Sequence, residues 1–337
     1  MQISAKDRAS LVALIHRFER QTITVLGDLV ADEFIYGEIS RVSREAPVLI
    51  LRQHRKDIVP GGGANAANNL ADLGGQVRLV GAVGEDEAGG KLLRYFEDKG
   101  VPTRWIERRA GAVTPAKSRV LGVVGHGHAQ QIVRVDREPH KSADGALRRR
   151  LCEQARTLLK ESSALLVSDY GYGATGAREV ALLQTALRKS MQPVTVDSRY
   201  QILSYNHVTA STPNEPEIEA AFGRHIGDDT ALLHRLASRV LRSCALQALL
   251  VTRGRAGMAL YEPGREPRIL PIFGSDQVAD VTGAGDTVIA AFTIALAAGA
   301  SFWHAAMMAN CAGGLAVMKS GTATVTRQEL EEAIRNS

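Results

Sequence analysis

The chain is 337 residues long, with a formal net charge of +5, 45% hydrophobic residues, 23% charged residues and 5% aromatics. That balance fits a soluble globular protein of one to three domains and excludes a disordered, collagenous or disulfide-stapled chain. Three cysteines, Cys152, Cys244 and Cys311, stand far apart with no metal-like spacing, and they read as reduced, buried thiols.

The predicted elements alternate along the chain. A surface helix covers residues 6–20, and its segment "MQISAKDRASLVALIHRFER" carries acids and lacks the apolar core of a signal peptide. No run reaches the length of a membrane span, so the expectation is a cytoplasmic protein with no membrane partner. "TITVLGD" (Thr22 to Asp28) is a short buried strand, and "GGGANAANNLADLG" (Gly61 to Gly74) is the Gly-rich start of an Ala/Asn helix. "QVRLVGAVGEDEAGGKLLRYFEDKGV" reads as strand, loop and helix, with Gly100 just past the helix end. Four further apolar runs follow: "SALLVSDYG" (Ser163 to Gly171), "PVTVDSR" (Pro193 to Arg199), "HVTASTPN" (His207 to Asn214) and "LQALLVTRG" (Leu246 to Gly254). Each ends in polar or Gly residues and leads into a helical pattern. Strands alternating with helices imply an α/β fold with a mainly parallel sheet covered on both faces.

Two segments break this rhythm. "FIYGEISRVSREAPVLILRQ" (Phe34 to Gln53) has strand-like stretches and no helix, and "AKSRVLGVVGHGHAQQIVRVDRE" (Ala116 to Glu138) reads as a hairpin turning at Gly125 to His128. The expectation is a small β lid, residues 34–53 and 116–138, on a core made of residues 1–33, 54–115 and 139–337. A few strands cannot bury two faces alone, so the lid should cover the site, meet a second subunit, or both.

Basic clusters at Arg148 to Arg150 and at Arg104, Arg108 and Arg109 have no interleaved aromatics and no nucleic-acid motif. They read as solvated helix faces, and no nucleic-acid partner is expected. A mildly basic protein still attracts anionic small molecules such as ATP or sugar phosphates. His126 and His128 form a His-x-His pair at the hairpin turn, with no third ligand nearby in sequence.

The informative polar residues fall at the C-terminal ends of the strands: Asp28, Asp169, Asp197, Asn214 and Arg253. In open α/β sheets ligands bind at that edge. The sharpest stretch is "DVTGAGDTVIAAF" (Asp280 to Phe292), where two glycines and two acids precede an Ala-rich run closed by Gly299. It reads as a helix N-terminus, whose first amides have no intrahelical partner and point outward. Gly283 and Gly285 let an anion approach that backbone, and the helix dipole favours negative charge there. Asp286 beside such a pocket suits a general base that activates an attacking hydroxyl. The plain alternative is a first-turn acid that stabilises the dipole.

These residues resemble a family. "DVTGAGD", "PGGGANAANNLADLG" and "TPNEPEIE" are similar, in that order, to signatures of the ribokinase (PfkB-type) carbohydrate kinases, and the likeness runs from about Thr22 to Glu331. "GDLVADEFIYGEISRVSREAPV", "QIVRVDRE" and "LLVSDYGYG" resemble its heptose-7-phosphate kinase branch. The likeness implies a ribokinase-like three-layer sandwich and transfer of the ATP γ-phosphate to the anomeric hydroxyl of a D-glycero-D-manno-heptose 7-phosphate, for ADP-heptose and lipopolysaccharide synthesis. It implies Mg²⁺, a possible K⁺ and a homodimer. The chain ends at Ser337, so the expected form is the stand-alone kinase rather than one fused to an adenylyltransferase. Where that branch has Asp-Pro-Lys-Gly, this chain has "DSRY" (Asp197 to Tyr200), and the "GHGH" turn is also atypical. Another PfkB-type kinase acting on ribose, fructose or adenosine therefore stays open, as does a non-catalytic sugar- or nucleotide-binding regulator.

The resemblance assigns roles position by position. Asp286 would be the catalytic base, with Gly283, Ala284 and Gly285 supplying anion-hole amides. Asp28 and Asp32 would meet sugar hydroxyls, with Asp32 the better match and a turn-ordering role the alternative for Asp28. Gly61, Gly62 and Asn65 match the sugar-facing signature; their "GGGANA" also fits a dinucleotide pattern, but the polar stretch before it, ending in Pro60, makes a poor central strand. Arg134 and Asp136 share one face of a strand and would reach the sugar or its phosphate, with a surface ion pair as the alternative, and Lys117 and Arg119 are weaker candidates of the same kind. Asn214 and Glu217 would place Mg²⁺ through water, or form a capping pair, or both. Asp197, Ser198, Thr252, Arg253, Gly254 and Asn310 would lie on the nucleotide side. Asp280 and Thr282, with carbonyls near Ala316 to Gly321, match a monovalent-cation site of some relatives.

Overall fold

The structure, a computed structural model, describes residues 3–123, 130–139, 145–187, 191–274 and 280–337. The Gly125 to His128 turn, with His126 and His128, lies outside the described residues.

The strands are β1 (Thr22–Gly27), β2 (Leu29–Val42), β3 (Leu49–Gly62), β4 (Gln76–Gly84), β5 (Ile106–Arg109), β6 (Ala116–Val123), β7 (Gln130–Arg137), β8 (Ala164–Asp169), β9 (Val194–Ser198), β10 (Ala210–Ser211), β11 (Ala248–Thr252), β12 (Met258–Tyr261) and β13 (Arg268–Leu270). The helices are α1 (Ala5–Ile15), α2 (Gly63–Asp72), α3 (Glu87–Asp98), α4 (Gly145–Leu158), α5 (Ala177–Leu187), α6 (Glu215–Phe222), α7 (Thr230–Ser243), α8 (Ala284–Ala297), α9 (Phe302–Val317) and α10 (Arg327–Arg335).

Nine strands form one sheet in the order β13-β12-β11-β10-β9-β8-β1-β4-β5. The run from β11 to β5 is parallel, and β12 and β13 close it antiparallel. β8 is buried throughout because both of its faces are covered. On one face Ile23, Val25 and Leu166 pack with residues of α1, α2, α3, α8, α9 and α10; on the other, Leu26, Leu165 and Val167 pack with α4, α5, α6 and α7. α8 is apolar all round because it runs between the sheet and its neighbours α2 and α9, and Asp286 to Ala295 are buried without a break.

A second sheet of four strands has the order β3-β2-β6-β7, with β2 and β6 parallel and the other pairs antiparallel. It is wider than the 34–53 segment expected from sequence: β2 begins at Leu29 and β3 runs to Gly62. Pro60 does not stop β3 because that strand lies at the sheet edge, where a missing N–H leaves no ladder partner unpaired. Gly62 then turns the chain into α2 with φ of 56°, in the left-handed region that a side chain would strain. β7 is exposed along its whole length.

Candidate active site

Parallel strands that point the same way bring their C-terminal ends to one edge, and the polar residues after β1, β8, β9, β10 and β11 gather there. A cleft of about 410 Å³ opens at this edge. It is lined by Tyr170 (after β8), Asp197 and Arg199 (β9 and beyond), Thr212 (after β10), Thr252 (β11), Asn214 and Glu217 (start of α6), and Gly283, Gly285 and Asp286 (start of α8).

The mouth of α8 is built as the motif suggests, with one refinement. Gly283 caps the helix with φ of 77°, and a Cβ there would stand 2.5 Å from the Asn65 amide nitrogen. The Ala284 amide makes a long 3.3 Å bond back to the Val281 carbonyl, and the helical ladder starts at Thr287 N–H to Gly283 O. The Gly285 and Asp286 amides therefore precede the ladder and have no backbone acceptor among the described residues. A Cβ at Gly285 would meet nothing within 4 Å, so the backbone there is open to the cleft.

Asp286 is buried and held at both oxygens. Asn65 Nδ2 donates to Oδ2 at 2.9 Å, and the Tyr170 hydroxyl donates to Oδ1 at 2.9 Å. Asn65 is itself fixed by Asn69, whose amide donates to the Asn65 carbonyl at 2.9 Å and whose Oδ1 accepts from Thr287 Oγ1 at 2.9 Å. Burial raises the Asp286 carboxyl from the ordinary carboxylate range to about 7; the Asn65 and Tyr170 bonds and Lys117 oppose that rise, and the Asp32 charge adds to it. An acid near 7 suits a base working near neutrality.

Two other buried acids shape the cleft wall from behind. Asp28 accepts from the backbone amides of Tyr170 (2.9 Å), Tyr172 (3.0 Å) and Ala174 (2.8 Å). Burial lifts its carboxyl to about 6 against those three bonds. Asp28 does not line the cleft, and the geometry gives it the loop-ordering role rather than a sugar contact. Asp169 accepts from Gly171 N, Ser198 Oγ and Tyr205 OH at 3.0, 2.8 and 2.7 Å. It thereby ties the loop carrying Tyr170 to the segment carrying Arg199. Ser198 is spent on this bond and is buried.

Asp32, on β2, is paired with Arg119 of β6 at 2.8 Å and accepts from Thr322 Oγ1 at 3.0 Å, with Gly61 packed against its carboxylate. Arg134 and Asp136 form a two-bond ion pair on β7, at 2.9 and 3.0 Å, the surface-pair alternative. Lys117 points inward instead, its ammonium 4.7 Å from the centre of the Tyr170 ring.

On the nucleotide side the positions separate. Asp197, Asn214, Glu217 and Thr252 line the cleft. Asn214 and Glu217 close a capping box, with bonds of 2.8 and 2.9 Å, and still face the cleft, so both readings of that pair coexist. Burial raises both Asp197 and Glu217 above their ordinary values, and the Arg199 guanidinium opposes both shifts. Arg253 is drawn aside by Glu215 at 2.7 Å, and Gly254 turns with φ of 52°; neither lines the cleft. Asn310 is buried in α9 and donates to the Pro271 carbonyl at 2.8 Å, a packing role rather than an open adenine contact. Asp280 accepts from the amides of Thr282 (2.9 Å) and Gly321 (3.1 Å), clasping the two loops that a cation would share.

Among the described residues no group of three or more acids, cysteines or histidines is gathered to hold a metal directly. Asn214 and Glu217 each spend one oxygen on the capping box, which fits an ion that keeps its own waters. The Thr212 hydroxyl is buried on the cleft wall with no hydrogen-bond partner among the described residues, a polar atom that suits a ligand. Tyr170 and Thr212 were missed as site residues from sequence, and Asp169 was placed at the strand-end edge without a role. The available signal was their position, at or just past the C-terminal ends of central strands.

Solved structures share this architecture. The ribokinase of Arabidopsis thaliana complexed with ribose and ATP aligns with a TM-score of 0.72 at 20% identity, over 94% of this chain and 99% of that one. Phosphofructokinase-2 from Escherichia coli in complex with potassium aligns with a TM-score of 0.73 at 19% identity, over 94% and 98%. The fold is ribokinase-like, a three-layer α/β sandwich with a β lid. The family described as pfkB family carbohydrate kinase matches residues 21–329, and the chain belongs to it. Curated relatives include the bifunctional protein HldE of Alkalilimnicola ehrlichii, 41% identical over 94% of this chain and 64% of that protein. Another is HldE of Trichlorobacter lovleyi, 38% identical over 97% and 66%. The chain thus spans just under two-thirds of these relatives' lengths.

Proposed function

We propose that this protein is an ATP-dependent sugar kinase that phosphorylates the anomeric hydroxyl of a D-glycero-D-manno-heptose 7-phosphate. The observation that carries the kinase reading is Asp286, a buried carboxylate raised to about 7, beside the Gly285 and Asp286 amides at the mouth of α8, which have no backbone acceptor among the described residues. Asp286 takes the proton of the attacking hydroxyl. The two amides and the α8 dipole face the negative charge that develops during transfer. Arg199 adds the positive side chain of the cleft wall. Mg²⁺, held through water by Asn214 and Glu217, would neutralise the nucleotide phosphates.

The heptose assignment is supported by the "SREAPV" and "RVDRE" likenesses and by relatives named HldE. Asp32 of the lid supplies the acceptor-side carboxylate. Exposed apolar side chains on the lid, Val42, Val48, Leu49, Val133 and Val135, support a homodimer formed there. K⁺ at the Asp280–Gly321 clasp and a cytoplasmic location complete the reading. Among the described residues no helix is long and apolar enough to cross a membrane.

A panel of acceptors with ATP and Mg²⁺ tests it, with the product located by phosphorus NMR. Heptose 7-phosphate should give a new anomeric phosphate. Silence with that acceptor but turnover of ribose, fructose or adenosine would move the chain to the second reading, which Arg199 and Tyr200 on the cleft wall favour, since they stand where the heptose branch has other residues.

A further inference from the structure

Lys117 is set by strand register between two acids. Asp32 on β2 and Asp136 on β7 are its direct cross-strand partners. Opposite charges so placed favour ion pairs across a sheet. Neither pair forms here. Asp32 is taken by Arg119 and Thr322, and Asp136 by Arg134. The Lys117 ammonium lies instead over the Tyr170 ring, and the Tyr170 hydroxyl reaches Asp286. An ammonium over an aromatic face is attracted by the ring quadrupole, more so where water is scarce.

We propose that Tyr170 and Lys117 are positioning residues of phosphoryl transfer: the lid lysine seats on the tyrosine ring, and the tyrosine hydroxyl fixes the Asp286 carboxylate toward the acceptor. The proposal rests on the kinase reading above. A carboxylate held by Asn65 alone can rotate about its own axis, and the second bond from Tyr170 stops that rotation. Lys117 belongs to β6 of the lid, whereas Tyr170 follows β8 of the core, so the contact makes the base sense where the lid stands. The Tyr170 loop is itself pinned by Asp28 and Asp169. The groups facing Asp286 are Asn65 from α2, Tyr170 after β8, Asp32 from β2, Lys117 from β6 and Asp197 from β9. Arg199 lies beyond, close enough to act on Lys117 and Asp197.

The test compares Tyr170→Phe, Lys117→Met, the double variant and Lys117→Arg in the full chain, reading acceptor-dependent ATP consumption against pH. Tyr170→Phe and Lys117→Met should each lower kcat about tenfold or more, leave the KM for ATP near wild type, and move the rising limb of the pH profile toward alkaline pH. The double variant should lose little beyond the worse single, because one unit has been broken. Lys117→Arg should restore most of the rate. An unmoved pH midpoint with effects that multiply overturns the proposal while leaving the kinase reading intact. If wild type transfers phosphate to no sugar and Asp286→Asn behaves identically, the kinase reading falls and takes this proposal with it. Circular dichroism of each variant separates misfolding from lost positioning, and a variant that misfolds is replaced by Tyr170→Leu or Lys117→Gln with the same readouts.

Discussion

Asn65 and Asp286 lie 221 positions apart in the chain and meet through a 2.9 Å hydrogen bond between the first turns of α2 and α8. The bond joins two Gly-rich motifs into one device: the motif expected to face the sugar holds the base. Asn65→Ala should therefore raise the apparent pKa of Asp286, because a bond that opposes protonation is lost. The rising limb of kcat/KM, expected near pH 7 in wild type, should shift to higher pH. Profiles that superimpose would show that Asn65 does not act on the base.

Asp286→Asn should reduce phosphoryl transfer by about 10²- to 10⁴-fold, the range for removing a general acid or base. Nucleotide affinity should change little. Single-turnover transfer measured beside ATP binding checks both halves, and an unchanged rate would mean the proton leaves by another route.

The same variant carries a stability signature. The Asp286 carboxyl is raised in the fold to about 7, from 3.8 in the open chain. A raised acid contributes stability that is present below the unfolded value and lost as pH rises through the folded one. Asp286→Asn should therefore gain stability relative to wild type between about pH 4 and about pH 8, by an amount on the order of a few kcal/mol. Thermal unfolding of both proteins across that range tests the sign, and a gap that narrows with rising pH would contradict it.

Gly283 and Gly285 should respond differently to alanine. At Gly283 the added Cβ meets Asn65 at 2.5 Å and φ is 77°, so Gly283→Ala should lower Tm and disturb the base. At Gly285 the Cβ enters open space. Gly285→Ala should leave Tm close to wild type while impairing ATP-dependent turnover, since the methyl crowds the amides that face the phosphate. Equal Tm losses at both sites would argue that the cleft does not open at Gly285.

Asp28→Ala removes the acceptor from three amides at once. Amide exchange at Tyr170, Tyr172 and Ala174 should accelerate, and stability should fall by about 1–3 kcal/mol for the buried donors left unsatisfied. Exchange confined to wild-type rates would place the loop's anchor elsewhere.

Much of this was legible in the sequence because it is local. The α8 mouth is written in five adjacent residues, Thr282 to Asp286, and the Asn214–Glu217 box in a spacing of three. The parallel sheet follows from apolar runs that end in polar residues. What could not be read depends on side chains meeting across the fold. Nothing near Tyr170 says that its hydroxyl reaches an acid on α8. Nothing near Asn310 or Arg253 says that a Pro271 carbonyl or Glu215 claims it first. Asp28 shows the limit best: a carboxylate after a strand suits a sugar or a turn, and only three amides at 2.8–3.0 Å decide between them.

The register of β2 against β3 shifts between Tyr36 and Gly37, where His54 of β3 is the extra residue, and between Ile39 and Arg41, where Ser40 of β2 is, both beyond Asp32. Bulges bend and twist the strand that carries them, so any flexing of this ribbon concentrates in its outer half. The inner half, with Asp32 and the register-matched Lys117, keeps one shape whatever the tip does. Such a division lets the outer flap drift and vary among descendants, or change neighbours, without retuning the chemistry beneath it.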